Sequence, residues 1–165
     1  MDKIEELLKD PKTDLQKQAL TDKSYKKTPN NQDCKINFEL ATYGDAILKC
    51  LLCKIYFEKE DEDNFGFKGK LTEWKKQYES DEVLVKFIAR HYDILNFLNF
   101  DRDDTKKPHG YDYQGRNAKR RYKYIATAME ACIAAVYIEN GENEVVEIVK
   151  KWIRWIDKET NSSDT

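Results

Sequence analysis

The chain has no apolar run approaching the roughly 18 residues needed to cross a bilayer. Its N-terminus, Met1-Asp-Lys-Ile-Glu-Glu, also lacks the apolar segment of a signal peptide. No membrane is expected as a partner, and the sequence reads as a soluble, cytoplasmic protein. Charge of one sign is missing too. Lys and Arg number 29 against 31 Asp and Glu, a net charge of −2, so any attraction for a polyanion must come from local clustering. The two histidines, His91 in a helical stretch and His109 in a loop, stand beside no nucleophile, and no serine or cysteine triad is visible. The four cysteines do not make a zinc site. Cys50 and Cys53 lie three apart inside an apolar helical pattern, while Cys34 and Cys132 are isolated, so buried reduced thiols are expected. No convincing strand and no internal repeat appears.

What is present is helical periodicity. At 165 residues, with 40% hydrophobic and 12% aromatic residues, the chain is long enough for one domain with a real core. We expect that domain over residues 1–158 and a disordered tail over 159–165. Helices are expected over 3–9, ended by Asp10-Pro11, over 14–25, and over 36–59, the last apolar on most faces as a central helix should be. An acidic loop over 58–64 and a turn at Gly66 and Gly69 follow, then a short helix over 71–79. Ser80, with Asp81 and Glu82 behind it, reads as the N-cap of a helix carrying Val83 to Leu98. Residues 101–114 form a long polar loop. Two more helices follow, over 119–139 with a stop at Asn140-Gly141, and over the stretch from Val145 to Ile156. The fold class is all-α, with about seven helices.

Two acids interrupt this apolar pattern. Glu130 is the only charged side chain from Ile125 to Ile138, and Asp45 is the only acid from Leu40 to Leu52. A buried carboxylate costs several kcal/mol unless paired, hydrogen-bonded or metal-bound (roughly that order). Small residues (Gly44, Ala126, Ala134) would let the two helices approach. Facing acids repel unless protonated or bridged by a cation, and Mg²⁺ is commonly held by one or two carboxylates plus water. Pairing of one acid with Lys49 or an arginine is the competing account. Just before the Glu130 helix, Gly115-Arg-Asn-Ala-Lys-Arg-Arg-Tyr-Lys123 concentrates basic residues, suited to phosphate. The alternative there is a solvated face that balances the acidic segments.

Together these segments resemble the ribonuclease III family. Ala19-Leu-Thr-Asp-Lys-Ser-Tyr25 resembles its A-L-T-H-R-S-Y opening. Asn37-Phe-Glu-Leu-Ala-Thr-Tyr-Gly-Asp-Ala-Ile-Leu48 resembles its signature N-E-R-L-E-F-L-G-D-A-V-L. Gly69-Lys-Leu-Thr72 resembles its G-x-L-T turn, and Ala126-Thr-Ala-Met-Glu-Ala131 its A-D-x-F-E-A. Order and spacing match from about residue 15 to residue 156. The resemblance implies two acids in each of two helices. Here Asp45 and Glu130 stand, but their partners are Ala41 and Thr127; the accessory acids become Phe38 and Lys68. The compact Mini-RNase III branch carries Ala and Thr at these two positions. It also reads G-R-N-A-K, as Gly115 to Lys119 do here, and ends without a double-stranded-RNA-binding domain.

By resemblance, then, the chain is a homodimeric, Mg²⁺-dependent (or Mn²⁺-dependent) endoribonuclease that cuts double-stranded RNA, with structured ribosomal RNA as its typical substrate. Asp45 and Glu130 would be the catalytic metal ligands. Arg116, Asn117, Lys119, Arg120, Arg121 and Lys123 would contact RNA. The missing acids motivate an alternative, a catalytically silent RNA-binding or scaffold protein of the same fold.

Overall fold

The structure is a computed structural model that describes residues 1–59 and 70–162. The expected acidic loop beyond Lys59, the turn at Gly66 and Gly69, and Lys68 lie outside the described residues, as do residues 163–165. Among the described residues the chain is all helical, with one isolated parallel bridge between Thr21 and Asn99.

Helix α1 (Lys3–Lys9) opens with a capping box, in which the Asp2 carboxylate accepts from the Glu5 amide and the Glu5 carboxylate accepts from the Asp2 amide. Helix α2 (Asp14–Ala19) is capped by the Thr13 hydroxyl. It is shorter than the 14–25 expected from periodicity. Leu20 to Asp22 leave it to pair with Asn99, through Asp22 N–H to Asn99 O and Asn99 N–H to Leu20 O, both 2.9 Å. Asp22 then starts a separate 3₁₀ turn, Lys23–Lys27, by accepting from the Ser24 amide. A tertiary pairing outweighed the local pattern.

Helix α3 (Phe38–Lys59) and helix α7 (Ala118–Asn140) form the centre, and α7 is the more enclosed. Every residue of α7 from Ala128 to Val136 is buried. The central helix expected over 36–59 is present as α3, although it leaves Phe38, Tyr43 and Phe57 exposed. Helix α7 ends at Gly141, whose φ of +88° suits a residue without a Cβ. Helix α8 (Glu142–Ser162) buries Val145, Val146, Ile148, Val149, Trp152, Ile153 and Ile156 along one face. It runs on through 159–162, where a frayed tail was expected. Thr160 and Ser162 donate back to the Ile156 and Lys158 carbonyls at 2.9 and 2.6 Å, which keeps the last turn closed.

Helix α4 (Lys70–Glu79) docks on α3 through the Tyr56–Trp74 ring contact (centroids 5.3 Å) and on α8 through Tyr78, whose hydroxyl donates to Asp157 and whose ring packs on Trp74 within α4. Ser80 caps the next segment by accepting from the Val83 amide at 3.2 Å. That segment is not one regular helix, as expected from Val83 to Leu98. It passes from α5 (Asp81–Val83) through a π-helical stretch (Leu84–Ala89) to α6 (Arg90–Tyr92), then turns at Asp93, φ +50°, into Ile94–Asn96. The wide π turn lets Leu84, Val85, Ile88 and Ala89 all face the core.

The long 101–114 loop is tied down. Tyr124 donates to the Pro108 carbonyl, Tyr111 accepts from the Leu95 amide and donates to Asp93, and Lys107 pairs with Asp22 at 3.0 Å. All four cysteines are free. Only Cys132 is buried and Cys50 is exposed, which corrects the expectation of buried thiols throughout.

Candidate active site

Gly44 decides how close the central helices come. A Cβ there would lie 1.7 Å from the Glu130 carbonyl oxygen, so the α3 backbone rests directly on α7 at Glu130. The next residue of α3, Asp45, and the Glu130 side chain therefore line the same place, an open cleft of about 590 Å³. Its far wall is the corner between α4 and α5, which contributes Glu79, Asp81 and Glu82. The Glu130 side chain is only 7% exposed and accepts no hydrogen bond among the described residues. Asp45 is different. Its side chain is 34% exposed and bonded to Lys49 at 2.6 Å, so the reading of Asp45 as a buried acid is corrected, and the Lys49 pairing weighed from the sequence is present.

Burial pushes the Glu130 carboxyl up to about 7; Lys123 opposes that rise, and Asp45 and Asp81 add to it. Lys123 holds the two walls together. Its Nζ lies 3.0 Å from Asp81 Oδ1 and 3.7 Å from Glu130 Oε1. Burial alone would lower the Lys123 pKa, but Glu130 and Asp81 raise it. Asp81 Oδ2 is buried without a hydrogen bond, and so is Glu79 Oε2, whose ionic neighbour is Lys75 at 3.3 Å. The cleft thus gathers five acids and four lysines (Lys49, Lys76, Lys119 and Lys123).

Of the residues singled out from the sequence, Asp45, Glu130, Lys119 and Lys123 line this cleft, together with Ala41, Thr127 and Phe38. Asn117 and Arg120 line an adjoining groove of about 550 Å³, joined to the cleft through shared Phe38, Lys119, Lys123 and Thr127. Lys23 adds charge to that groove, while Lys107, which also lines it, is paired with Asp22. Arg116 and Arg121 are exposed and line neither. Sequence reasoning missed Asp81, Glu79 and Glu82 as site residues, having read the Ser80-Asp81-Glu82 run as capping chemistry. The capping is real, but the same turn aims Asp81 at the cleft.

Among the described residues no three acids, histidines or cysteines converge closely enough to enclose a metal ion. Mg²⁺ does not need such a cage, since it keeps several waters and is held by one or two carboxylates. The donor set fits that mode: Glu130 is buried and unbonded, Asp45 stands near it, and Asp81 carries an unsatisfied oxygen.

A family model described as ribonuclease-III-like matches residues 12–155. The ribonuclease 3 of Nitratiruptor sp. is 28% identical over 137 residues, covering 83% of this chain and 52% of that protein. The ribonuclease 3 of Azotobacter vinelandii is 28% identical over 140 residues, covering 85% and 52%. The chain spans about half the length of the curated relatives it matches. Two solved structures of the ribonuclease III nuclease domain from Campylobacter jejuni share the fold. Each superposes with a TM-score of 0.63 over 94% of this chain, at 23% and 24% identity. One of them was described for flexibility in a region involved in that protein's dimer formation.

Proposed function

The chain belongs to the ribonuclease III-like family, and from that premise we propose that it is a Mg²⁺-dependent endoribonuclease cleaving double-stranded RNA as a homodimer. The observation that carries the reading is the placement of Glu130, buried and unbonded, beside Asp45 in a cleft continuous with a basic groove. Asp45 and Glu130 are the residues that would hold the ion, directly or through water, with Asp81 beside them. A divalent ion in such a place supplies a Lewis acid for the scissile phosphate and hydroxide near neutral pH.

The rest belongs to the chain. Lys119, Arg120 and Asn117, with Lys23, offer charge and donors along the groove. RNA duplexes are read through phosphates and 2′-hydroxyls across a shallow minor groove, so such a surface binds by shape, without reading bases. The exposed Tyr43 and Phe57 on α3 and the dimer of the Campylobacter relative support assembly of two copies. Ala41 and Thr127 resemble the pattern of the compact Mini-RNase III branch, which supports structured ribosomal RNA in the cytoplasm as the substrate of this reading. No helix among the described residues is long and apolar enough to cross a membrane.

A cleavage assay on long double-stranded RNA, with Mg²⁺ and with EDTA, tests this. Asp45→Asn should abolish cleavage and leave the thermal melt intact, because Asp45 makes only a half-exposed pair with Lys49. Undiminished cleavage by that variant refutes the assignment. A second reading, a silent RNA-binding protein, is favoured by the apolar and hydroxyl side chains of Ala41 and Thr127 on the cleft wall. RNA retention without Mg²⁺-dependent products would establish it.

A further inference from the structure

Lys123 was expected on RNA, yet its ammonium is turned inward, between carboxylates of opposite cleft walls. Lys49 pairs with Asp45 one turn away on the same helix. Lys123 instead reaches 42 residues in sequence to Asp81, while its 3.7 Å contact with Glu130 runs two turns along α7. A charge between Glu130 and Asp81 sits where a divalent ion would be drawn. One ammonium answers two acids incompletely, since Asp81 Oδ2 keeps no hydrogen bond and Glu130 accepts none. Among the described residues only these two carboxylates hold the lysine there. Its side chain is 48% exposed, and its residue lines both the acid cleft and the basic groove. A lysine is a compact charge on a flexible stem with three rotatable donors, suited to exchanging one anionic partner for another.

We infer that Lys123 is a tethered cation that holds the divalent ion's place in the free protein and leaves it for a backbone phosphate when duplex RNA enters the groove. Metal and RNA then load cooperatively, and linkage requires each to tighten the other by the same factor. The inference rests on the proposed metal-dependent reading and adds to it an order. The free protein binds metal weakly because its own lysine competes, and the RNA-bound protein does not.

The test is Mn²⁺ binding by electron paramagnetic resonance near pH 8. Wild type and Lys123→Met are titrated alone and with a short RNA duplex. Without RNA, Lys123→Met should bind Mn²⁺ at least about tenfold tighter, because a unit positive charge has left the site. The duplex should tighten Mn²⁺ binding by wild type at least about fivefold and by the variant much less. Lys123→Arg, which keeps the charge and can engage a carboxylate with two donors, should bind Mn²⁺ no tighter than wild type. A Lys123→Met protein that melts like wild type but binds Mn²⁺ no tighter overturns the inference and leaves the metal reading standing. No Mn²⁺ binding by any form, with or without RNA, overturns both. If Lys123→Met melts unlike wild type, the wild-type RNA titration decides alone, and an unchanged Mn²⁺ affinity refutes the inference.

Discussion

Gly44→Ala is the sharpest test of how this site is built. The added Cβ would lie 1.7 Å from the Glu130 carbonyl oxygen and 2.5 Å from its carbon. Ordinary carbon–oxygen contacts begin near about 3.3 Å, so the methyl lacks roughly 1.6 Å. The obstacle is backbone in the middle of a buried helix, so no side-chain rotation relieves it; α3 and α7 must move apart. Overpacking costs about 1–3 kcal/mol, occasionally more, and a backbone clash belongs at the upper end. Alanine returns about 1 kcal/mol in helix propensity. The net cost is then at least about 2 kcal/mol, or roughly 4–8 °C in Tm for a chain of this size.

With total stabilities of about 5–15 kcal/mol, the variant remains folded at room temperature. Its cleavage should nonetheless fall by about a hundredfold, because a shift near 1 Å between Asp45 and Glu130 breaks their register. Gly110→Ala is the control, since a Cβ there meets nothing within 4 Å. Circular dichroism melts of both variants, with cleavage measured well below each Tm, separate stability from geometry. A Gly44→Ala protein that melts at or above wild type would show that the helices do not touch there, and the site described above would fall with that contact.

Two further perturbations probe the scaffold. Burial alone would raise the Asp22 carboxyl, but Ser24 and Lys107 hold it below its ordinary 3.8. Its stabilisation is therefore present above that value and lost as pH falls through the lower folded value. Asp22→Asn should cost about 2–3 kcal/mol at pH 7, by leaving Lys107 unpaired, and should flatten the acid limb of a stability–pH profile; an unchanged acid limb refutes the assignment. Tyr92→Phe strips the acceptor from the buried Trp152 N–H (3.0 Å) and a donor from Asp2 (2.8 Å). It should lower stability by about 1–3 kcal/mol in urea unfolding, and an unchanged midpoint would refute this account of the network.

The helices that could be placed from the sequence are those whose signals are local. Ser80 caps as its residue type predicts, and the face of α8 follows from its periodicity. What failed was non-local. Nothing in Ala19-Leu-Thr-Asp22 announces a pairing with Asn99, and nothing in Leu84 to Tyr92 announces a π turn. The site divides the same way. Asp45 and Glu130 were visible because a charge in an apolar helical stretch stands out. Asp81 was not, because its capping role already explained it and its neighbours come from another helix.

The direction of Lys123 is the most consequential of these blind spots. In a run of basic residues it reads as one more phosphate contact, and only the meeting of α5 with α7 shows that it reaches Asp81 and Glu130. This placement also bears on the acids that the resemblance expected at Ala41 and Thr127. Four carboxylates packed together without metal would repel strongly. With Ala41 and Thr127 on the wall, Lys49 neutralises Asp45, Lys75 and Lys86 pair with Glu79 and Glu82, and a single ammonium can bridge Glu130 and Asp81. Fewer acids and an inward lysine are thus two parts of one electrostatic solution. It lets the cleft fold without metal, and it predicts that restoring an acid at position 127 would demand a second cation.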